Sequence, residues 1–238
     1  MEILILFVGS FLAALVSGAA GFGGSLLLLP VATACVGADM AVPVLTIAQL
    51  IGNIARMTTG WKQIDWKSVG LFSITSLPLA ALGAFGFALL PKDIVTRCIG
   101  LALILLVIFK ILSKRDLPRS KGTLLVGGAV TGGLSGLCGS GGPIGAAVFL
   151  SLDLAPVAYI ASEAATATAM HILKTIIYSK LTNMNYRALL IGLTMGLCMI
   201  IGTYVAKHFI KKMEKGKFQK YVAVLLWIVG IYMAVCGA

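Results

Sequence analysis

The sequence predicts an all-α membrane protein made of two inverted repeats, each a glycine-broken helical hairpin followed by three transmembrane helices. Three observations lead there: a strongly apolar composition, a division into segments of membrane-spanning length, and a pair of glycine clusters that recur at matching places in the two halves.

Hydrophobic residues fill 59% of the 238 positions and charged residues only 11%, against about 25% charged in an ordinary soluble domain. A water-soluble fold is excluded. A spanning helix needs about 20 mostly apolar residues to cross a hydrocarbon core of about 30 Å. Lipid offers backbone groups no partners, and the alternating pattern of a membrane β-barrel is absent, so every span is read as helical. The formal charge of +11 sits in short loops between apolar runs. There it serves topology selection, and no nucleic-acid partner is expected. Five cysteines lie scattered without a CxxC pair, so neither a disulfide framework nor a zinc site is indicated, and no cofactor is expected. Residues 1–17 carry Glu2 and no base, which is not the start of a cleaved secretory signal.

In chain order the apolar stretches run 3–37, 41–60, 68–90, 93–112, 122–152, 155–178, 186–206 and 218–237. The first and fifth are too long for one ordinary span, and each is cut near its middle by glycines. A shift of 118 positions lays Ser17-Gly18 on Ser135-Gly136, Gly21 on Gly139 and Gly23-Gly24 on Gly141-Gly142. It also places Asn53 on His171 and Arg56 on Lys174. Two residues of further slip set Ile64-Asp65-Trp66-Lys67 on Met184-Asn185-Tyr186-Arg187. Internal duplication is the simplest cause. The repeats are assigned to 1–113 and 122–238, joined by a basic cytoplasmic linker at 114–121.

Loop charge then chooses the topology. If all eight segments crossed, the basic loops Lys110–Lys121 and Lys207–Lys220 would lie on opposite sides, against the positive-inside rule. If the two cut segments instead dip in and return, both loops share one face with Lys62 and Lys67. That face is read as cytoplasmic, with both termini outside. Residues 3–17 and 25–37 would each be roughly 20 Å long as helices, enough to reach mid-membrane.

Glycine in spanning helices usually serves close packing. The clusters Gly18–Ser25 and Gly136–Pro143 are denser than a stable helix allows, and irregular backbone at that depth must line protein or water. Pro143 suits a first helical turn and Ser25 a cap. Two half-helix N-termini facing each other across the repeat would present free N–H groups to an anion. The expected substrate-binding residues are therefore Gly21, Phe22, Gly23, Gly24 and Ser25, with Cys138, Gly139, Ser140, Gly141 and Gly142 opposite. Arg56 and Lys174 are candidate cationic partners, with snorkelling as the alternative. Asn53 and His171 are expected at the substrate, and Gln49 lies one turn from Asn53. Glu163 and His171 form a candidate proton relay, the alternative being a structural pair of Glu163 with Lys174.

The motifs Ser17-Gly-Ala-Ala-Gly-Phe-Gly-Gly24 with Pro30, and Ser135-Gly-Leu-Cys-Gly-Ser-Gly-Gly142-Pro143, together with Ile64-Asp65-Trp66, resemble the TauE/SafE family of sulfite and organosulfur anion exporters. The likeness covers nearly the whole chain. It implies a secondary carrier of sulfite, thiosulfate or a sulfonate, coupled to protons or to the membrane potential, in a bacterial inner membrane. Two departures from the family pattern bear on substrate size: Ser25 stands where a third glycine is common, and Val148 matches Pro30.

Other classes fit less well. A metal-cation carrier would want several intramembrane carboxylates, where only Glu163 offers itself; a carboxylate or other small solute remains the alternative cargo. No HExxH, GxSxG or paired aspartates suggest an enzyme. A non-transport membrane assembly protein would have no use for glycine-broken hairpins. The expected partners are a small anion, the bilayer, a coupling proton and further copies of the chain in a homo-oligomer.

Overall fold

Two short polar elements start the clearest helices. In the computed structural model, which describes residues 2–22, 24–89, 117–182 and 185–211 together with 213, 214, 216–218, 220, 221 and 224, Asp65 caps the helix that follows it. The Ser68 N–H donates to Asp65 Oδ1 at 3.2 Å, and the Ser68 hydroxyl donates to Oδ2 at 2.7 Å. Asn185 does the same in the second half, accepting from the Ala188 N–H at 2.8 Å. The duplicated tetrapeptides are thus capping motifs. Each helix opens on an exposed aromatic residue, Trp66 or Tyr186, the side chains that favour a membrane–water boundary.

The helices of the described residues are α1 (Glu2–Ala20), α2 (Gly24–Val36), α3 (Ala38–Thr59), α4 (Trp66–Leu89), α5 (Lys121–Cys138), α6 (Gly142–Leu150), α7 (Pro156–Leu181) and α8 (Tyr186–Ile210), with a 3₁₀ turn at Trp61–Gln63. No strand occurs among them. Within α3, α4 and α8, the stretches Met40–Thr59, Trp66–Leu89 and Tyr186–Ile210 are long and apolar enough to cross a membrane. Helix α7 matches them in length at 26 residues, but it carries Glu163, His171 and Lys174. The expected span 93–112 and the repeat boundary at 113 lie outside the described residues, as does most of 218–237.

Both over-long segments are indeed broken, between α1 and α2 and between α5 and α6. The turning residues are Gly21, with φ 84°, and Gly139, with φ 70°. These are matched positions, and glycine alone adopts that conformation freely. The break comes later than expected. Helix α1 has 19 residues and α5 has 18, about 27 Å each at the usual rise, rather than half-spans ending at 17. Gly18 and Gly136 stay helical because they seat neighbouring helices. A Cβ at Gly18 would lie 2.8 Å from Ala206 Cβ, and one at Gly136 would run into the Ala80 carbonyl. The returning arms are unequal, 13 residues in α2 and 9 in α6. Pro143 occupies the first turn of α6 as expected. Ser25 does not cap α2: the helix begins at Gly24, which puts Ser25 inside its first turn.

Packing repeats with the sequence. Helix α1 lies against α8 as α5 lies against α4; α3 meets α8 as α7 meets α4; α1 meets α2 and α2 meets α3 as α5 meets α6 and α6 meets α7. Helices α3 and α7, themselves a matched pair, face each other. The α4–α5 seam is made by Gly128, Gly132 and Gly136, spaced by four and set against the backbone of α4 at Phe72, Ser76 and Ala80. The α1 counterparts of the last two, Ala14 and Gly18, meet α8 at Gly202 and Ala206. Small residues at this spacing let backbones approach where no hydrophobic force drives association. Away from these seams, Ile74, Leu82, Leu197 and Ile201 are exposed, as side chains facing lipid would be.

Adjacent glycines in α5 should respond oppositely to alanine. At Gly132 a Cβ meets Ser76 backbone, whereas at Gly133 it meets nothing within 4 Å. Thermal unfolding in detergent should show Gly132→Ala destabilised by about 1–3 kcal/mol of overpacking, and Gly133→Ala neutral or stabilised by up to about 1 kcal/mol of helix propensity.

Candidate functional site

A helix that ends in a buried interior leaves its last carbonyls without intrahelical partners. Here two buried cations add donors at those ends, beside the Gly21 N–H that reaches the Ser17 carbonyl at 2.8 Å and the Tyr159 hydroxyl that donates to the Ala20 carbonyl at 3.0 Å. Arg56, near the end of α3 and 4% exposed, donates from Nη1 to the Ser17 carbonyl at 3.1 Å and to the Gly21 carbonyl at 2.6 Å. Lys174 on α7, fully buried, donates from Nζ to the Ser135 carbonyl at 3.0 Å and to its hydroxyl at 2.9 Å. The pairs match: Arg56 with Ser17 and Lys174 with Ser135 are each 39 positions apart. Each cation lies at the carbonyl end of a hairpin's first arm, where the helix dipole is negative. Neither snorkels to the surface.

Arg56 does more than seal α1. Its Nη2 donates to Asn53 Oδ1 one turn back, and its Nη1 lies 3.2 Å from Glu163 Oε2 of the other half. The alternative of a Glu163–Lys174 pair is therefore overturned. Eleven residues of helix separate those two, about 16 Å along one axis, while Arg56 approaches Glu163 from the facing helix.

These groups border one cavity of about 30 Å³ between the halves, room for about two waters by the same measure. Gly21, Phe22, Gly24, Ser25, Asn53 and Arg56 line it from the first half, and Gly139, Gly141, Gly142, Glu163 and His171 from the second. Gly23 lies outside the described residues. Cys138, Ser140 and Lys174 stand behind the wall rather than in it. The first residues of both returning arms, Gly24 and Gly142, border the cavity. The cap position of α6, Gly141, brings no side-chain hydrogen bond; Pro143 has no N–H and the Ile144 N–H donates to the Gly141 carbonyl at 3.2 Å, so the Gly142 N–H is the first-turn donor open to a ligand.

Gly24 and Gly141 have steric reasons to lack a side chain. A Cβ at Gly24 would lie 2.6 Å from Gln49 Nε2, and one at Gly141 would meet the Thr131 carbonyl. Gln49 Nε2, Thr131 Oγ1 and His171 Nδ1 are buried without a hydrogen-bond partner among the described residues, and all three residues line the cavity. Three such orphans around one space call for a polar occupant.

The lining also includes Ser17, Ser135, Thr131, Gly145, Thr166 and Met170, which the expected site did not contain. Helical spacing held the signal. Thr131 lies one turn before Ser135, while Thr166 and Met170 fall three and seven residues after Glu163, on the face that carries it.

A family model described as sulfite exporter TauE/SafE matches residues 6–233. No curated protein and no solved structure matches the chain.

Removing Arg56 should expose its double duty. Arg56→Gln leaves Glu163 as a buried unpaired charge, and thermal unfolding should show a loss of about 3–5 kcal/mol. Adding Glu163→Gln should restore part of that loss. Lys174→Met, which strands the Ser135 carbonyl and hydroxyl, should cost about 1–3 kcal/mol.

Proposed function

Since this chain belongs to the TauE/SafE sulfite exporter family, membrane transporters of sulfur anions, we propose that it carries sulfite or a similarly compact sulfur oxyanion by alternating access at the cavity between its halves. The observation that carries this reading is the donor-rich lining with orphaned polar atoms. The carbonyl ends of α1 and α5 are covered by Arg56 and Lys174, so what the breaks present to the cavity is the N–H side of α2 and α6. Net donor character in a dry site favours an anion.

On this reading the two repeats are inverted across the membrane of a bacterial cell, and each broken segment is re-entrant. Both breaks lie at the same cavity, which two hairpins entering from opposite faces would produce. Substrate contacts fall to Gly24, Ser25, Gly141 and Gly142 with Asn53 and His171. Arg56 lends charge from the wall. Gly23 joins them by its place in the sequence. Cys138, Ser140 and Lys174 act from behind, holding the loop and the end of α5.

Glu163 and His171 carry the coupling proton. In the state described, the Glu163 carboxylate occupies Arg56. An incoming oxyanion competes for that guanidinium, and a carboxylate released from it in a dry cavity is stable only once protonated. Anion and proton then travel together.

Proteoliposomes test both parts. Gly24→Ala and Gly141→Ala should lower sulfite counterflow by about tenfold or more, because a Cβ at either position meets Gln49 or the Thr131 carbonyl and displaces the cavity wall. Glu163→Gln should keep counterflow between equal pH values yet lose accumulation driven by a pH gradient. Alanine variants that fold and transport at the wild-type rate would move the site elsewhere.

A further inference from the structure

Arg56 also borders a second small cavity of about 10 Å³, where Thr59, Thr203 and Lys207 share the lining with the apolar side chains of Val157, Ile160 and Ile210. By volume it holds about one water. Arg56 borders both spaces, so the two adjoin at its side chain. Thr203 is 3% exposed, and its hydroxyl has no hydrogen-bond partner among the described residues. Lys207 lies one turn further along α8, half-buried, with its ammonium 6.0 Å from the Tyr204 ring centroid. A buried orphan hydroxyl in a cavity that Arg56 and Lys207 also border is a place for an anion.

The duplicated frame supplies a comparison inside the same molecule. Shifts of 118 and 120 positions carry Arg56, Thr59 and Ile160 onto Lys174, Ile177 and Val42, and Lys207 onto Phe87. At that matched place Val42, Ala84, Phe87, Ile177 and Tyr178 pack together as a buried apolar cluster. The Phe87 and Tyr178 rings meet edge to face at 5.4 Å, and Tyr178 donates its hydroxyl proton to the Gly136 carbonyl at 2.6 Å. Where one half has a threonine and a lysine beside a cavity, the other has an isoleucine and a phenylalanine in contact.

We infer that the Thr59–Thr203–Lys207 cavity is the anion's route between the central site and the Lys207 face, with a transient anion site at Thr203 and Lys207, and that the Phe87–Tyr178 cluster is the closed gate toward the opposite face. This rests on the transport reading above. Arg56 then passes the anion from one space to the other, exchanging Glu163 for it.

Thr203→Cys is nearly isosteric and marks the route; Val42→Cys marks the gate. Each is treated with a membrane-impermeant methanethiosulfonate applied to one face of oriented vesicles, and peptide mapping separates the new thiol from the native cysteines. The thiol of Thr203→Cys should react from the Lys207 face only, and saturating sulfite should slow it. The thiol of Val42→Cys should be unreactive from either face until Phe87→Ala is added, and then react from the face opposite Lys207. In counterflow, Lys207→Gln should lower the rate by about tenfold, the lower end of what a focusing charge contributes, with sulfite affinity by thermal shift unchanged. Lys67→Gln, an exposed base well outside this cavity, should leave the rate alone. Three labelling results would overturn the inference: a Thr203→Cys thiol refractory from both faces, the same thiol reached from the wrong face, or a Val42→Cys thiol labelled without Phe87→Ala. Those results with sulfite counterflow intact discard the route and leave transport standing. The expected labelling in protein that moves no anion discards transport instead.

Discussion

Backbone that stops being helical inside a membrane must find partners for the carbonyls it strands, each costing several kcal/mol if left bare in hydrocarbon. The remainder of this molecule is arranged around meeting that demand twice. One cation from the helix after each hairpin reaches back 39 positions to the hairpin's first arm: Arg56 to Ser17 and Gly21, Lys174 to Ser135. A buried cation is itself expensive, and carbonyls at the negative end of a helix dipole are what lower that cost. The arrangement also gives the cavity its sign. On the proposed reading, with the carbonyl ends covered, the N–H ends of α2 and α6 face the solute.

The two halves share a frame and differ in lining. The turns at Gly21 and Gly139, the caps at Asp65 and Asn185, and the seams along α1 and α5 recur with the 118 to 120 position shift. The chemistry does not. Glu163 matches Leu45, His171 matches Asn53, and Lys207 matches Phe87. A duplicated frame makes two equivalent ways into one site. On the proposed route, the differing residues give one way Thr203 and Lys207 and the other an apolar plug.

Much of this was legible in the sequence because glycine and proline report backbone directly. Gly21 and Gly139 mark the turns, Pro143 marks the start of α6, and the matched tetrapeptides mark two helix starts. Eleven of the expected site residues border one cavity, since a duplicated motif at hydrocarbon depth has few other uses. Contacts between distant elements were not legible. Nothing in the order of residues says that Arg56 meets Glu163 from across the halves, or that Gly18 and Gly136 would be held helical by Ala206 and Ala80. Thr131 and Thr166 stayed hidden because threonine is ordinary in a spanning helix. Only the facing of α3, α5 and α7 makes them lining.

The bonds that tie the molecule together also indicate what moves in the proposed alternation. Arg56 to Ser17 and Lys174 to Ser135 run within a half, binding each hairpin to the helix behind it, so hairpin and helix travel as one body. Two of the seams between halves, α1 on α8 and α4 on α5, set glycine and alanine against the facing helix. Such surfaces pack closely yet offer little resistance to a small slide. The Thr75 hydroxyl bridges one seam, donating to the Leu125 carbonyl at 2.6 Å, a bond that reforms on a neighbouring carbonyl after a shift of register. Arg56 with Glu163 is a charged tie between the halves, and it lies at the cavity itself. A substrate anion that takes the guanidinium loosens that tie at the moment it binds, which is the differential interaction a population shift requires. Coupling and motion thus meet at one side chain, placed there because a broken helix needed its carbonyls covered.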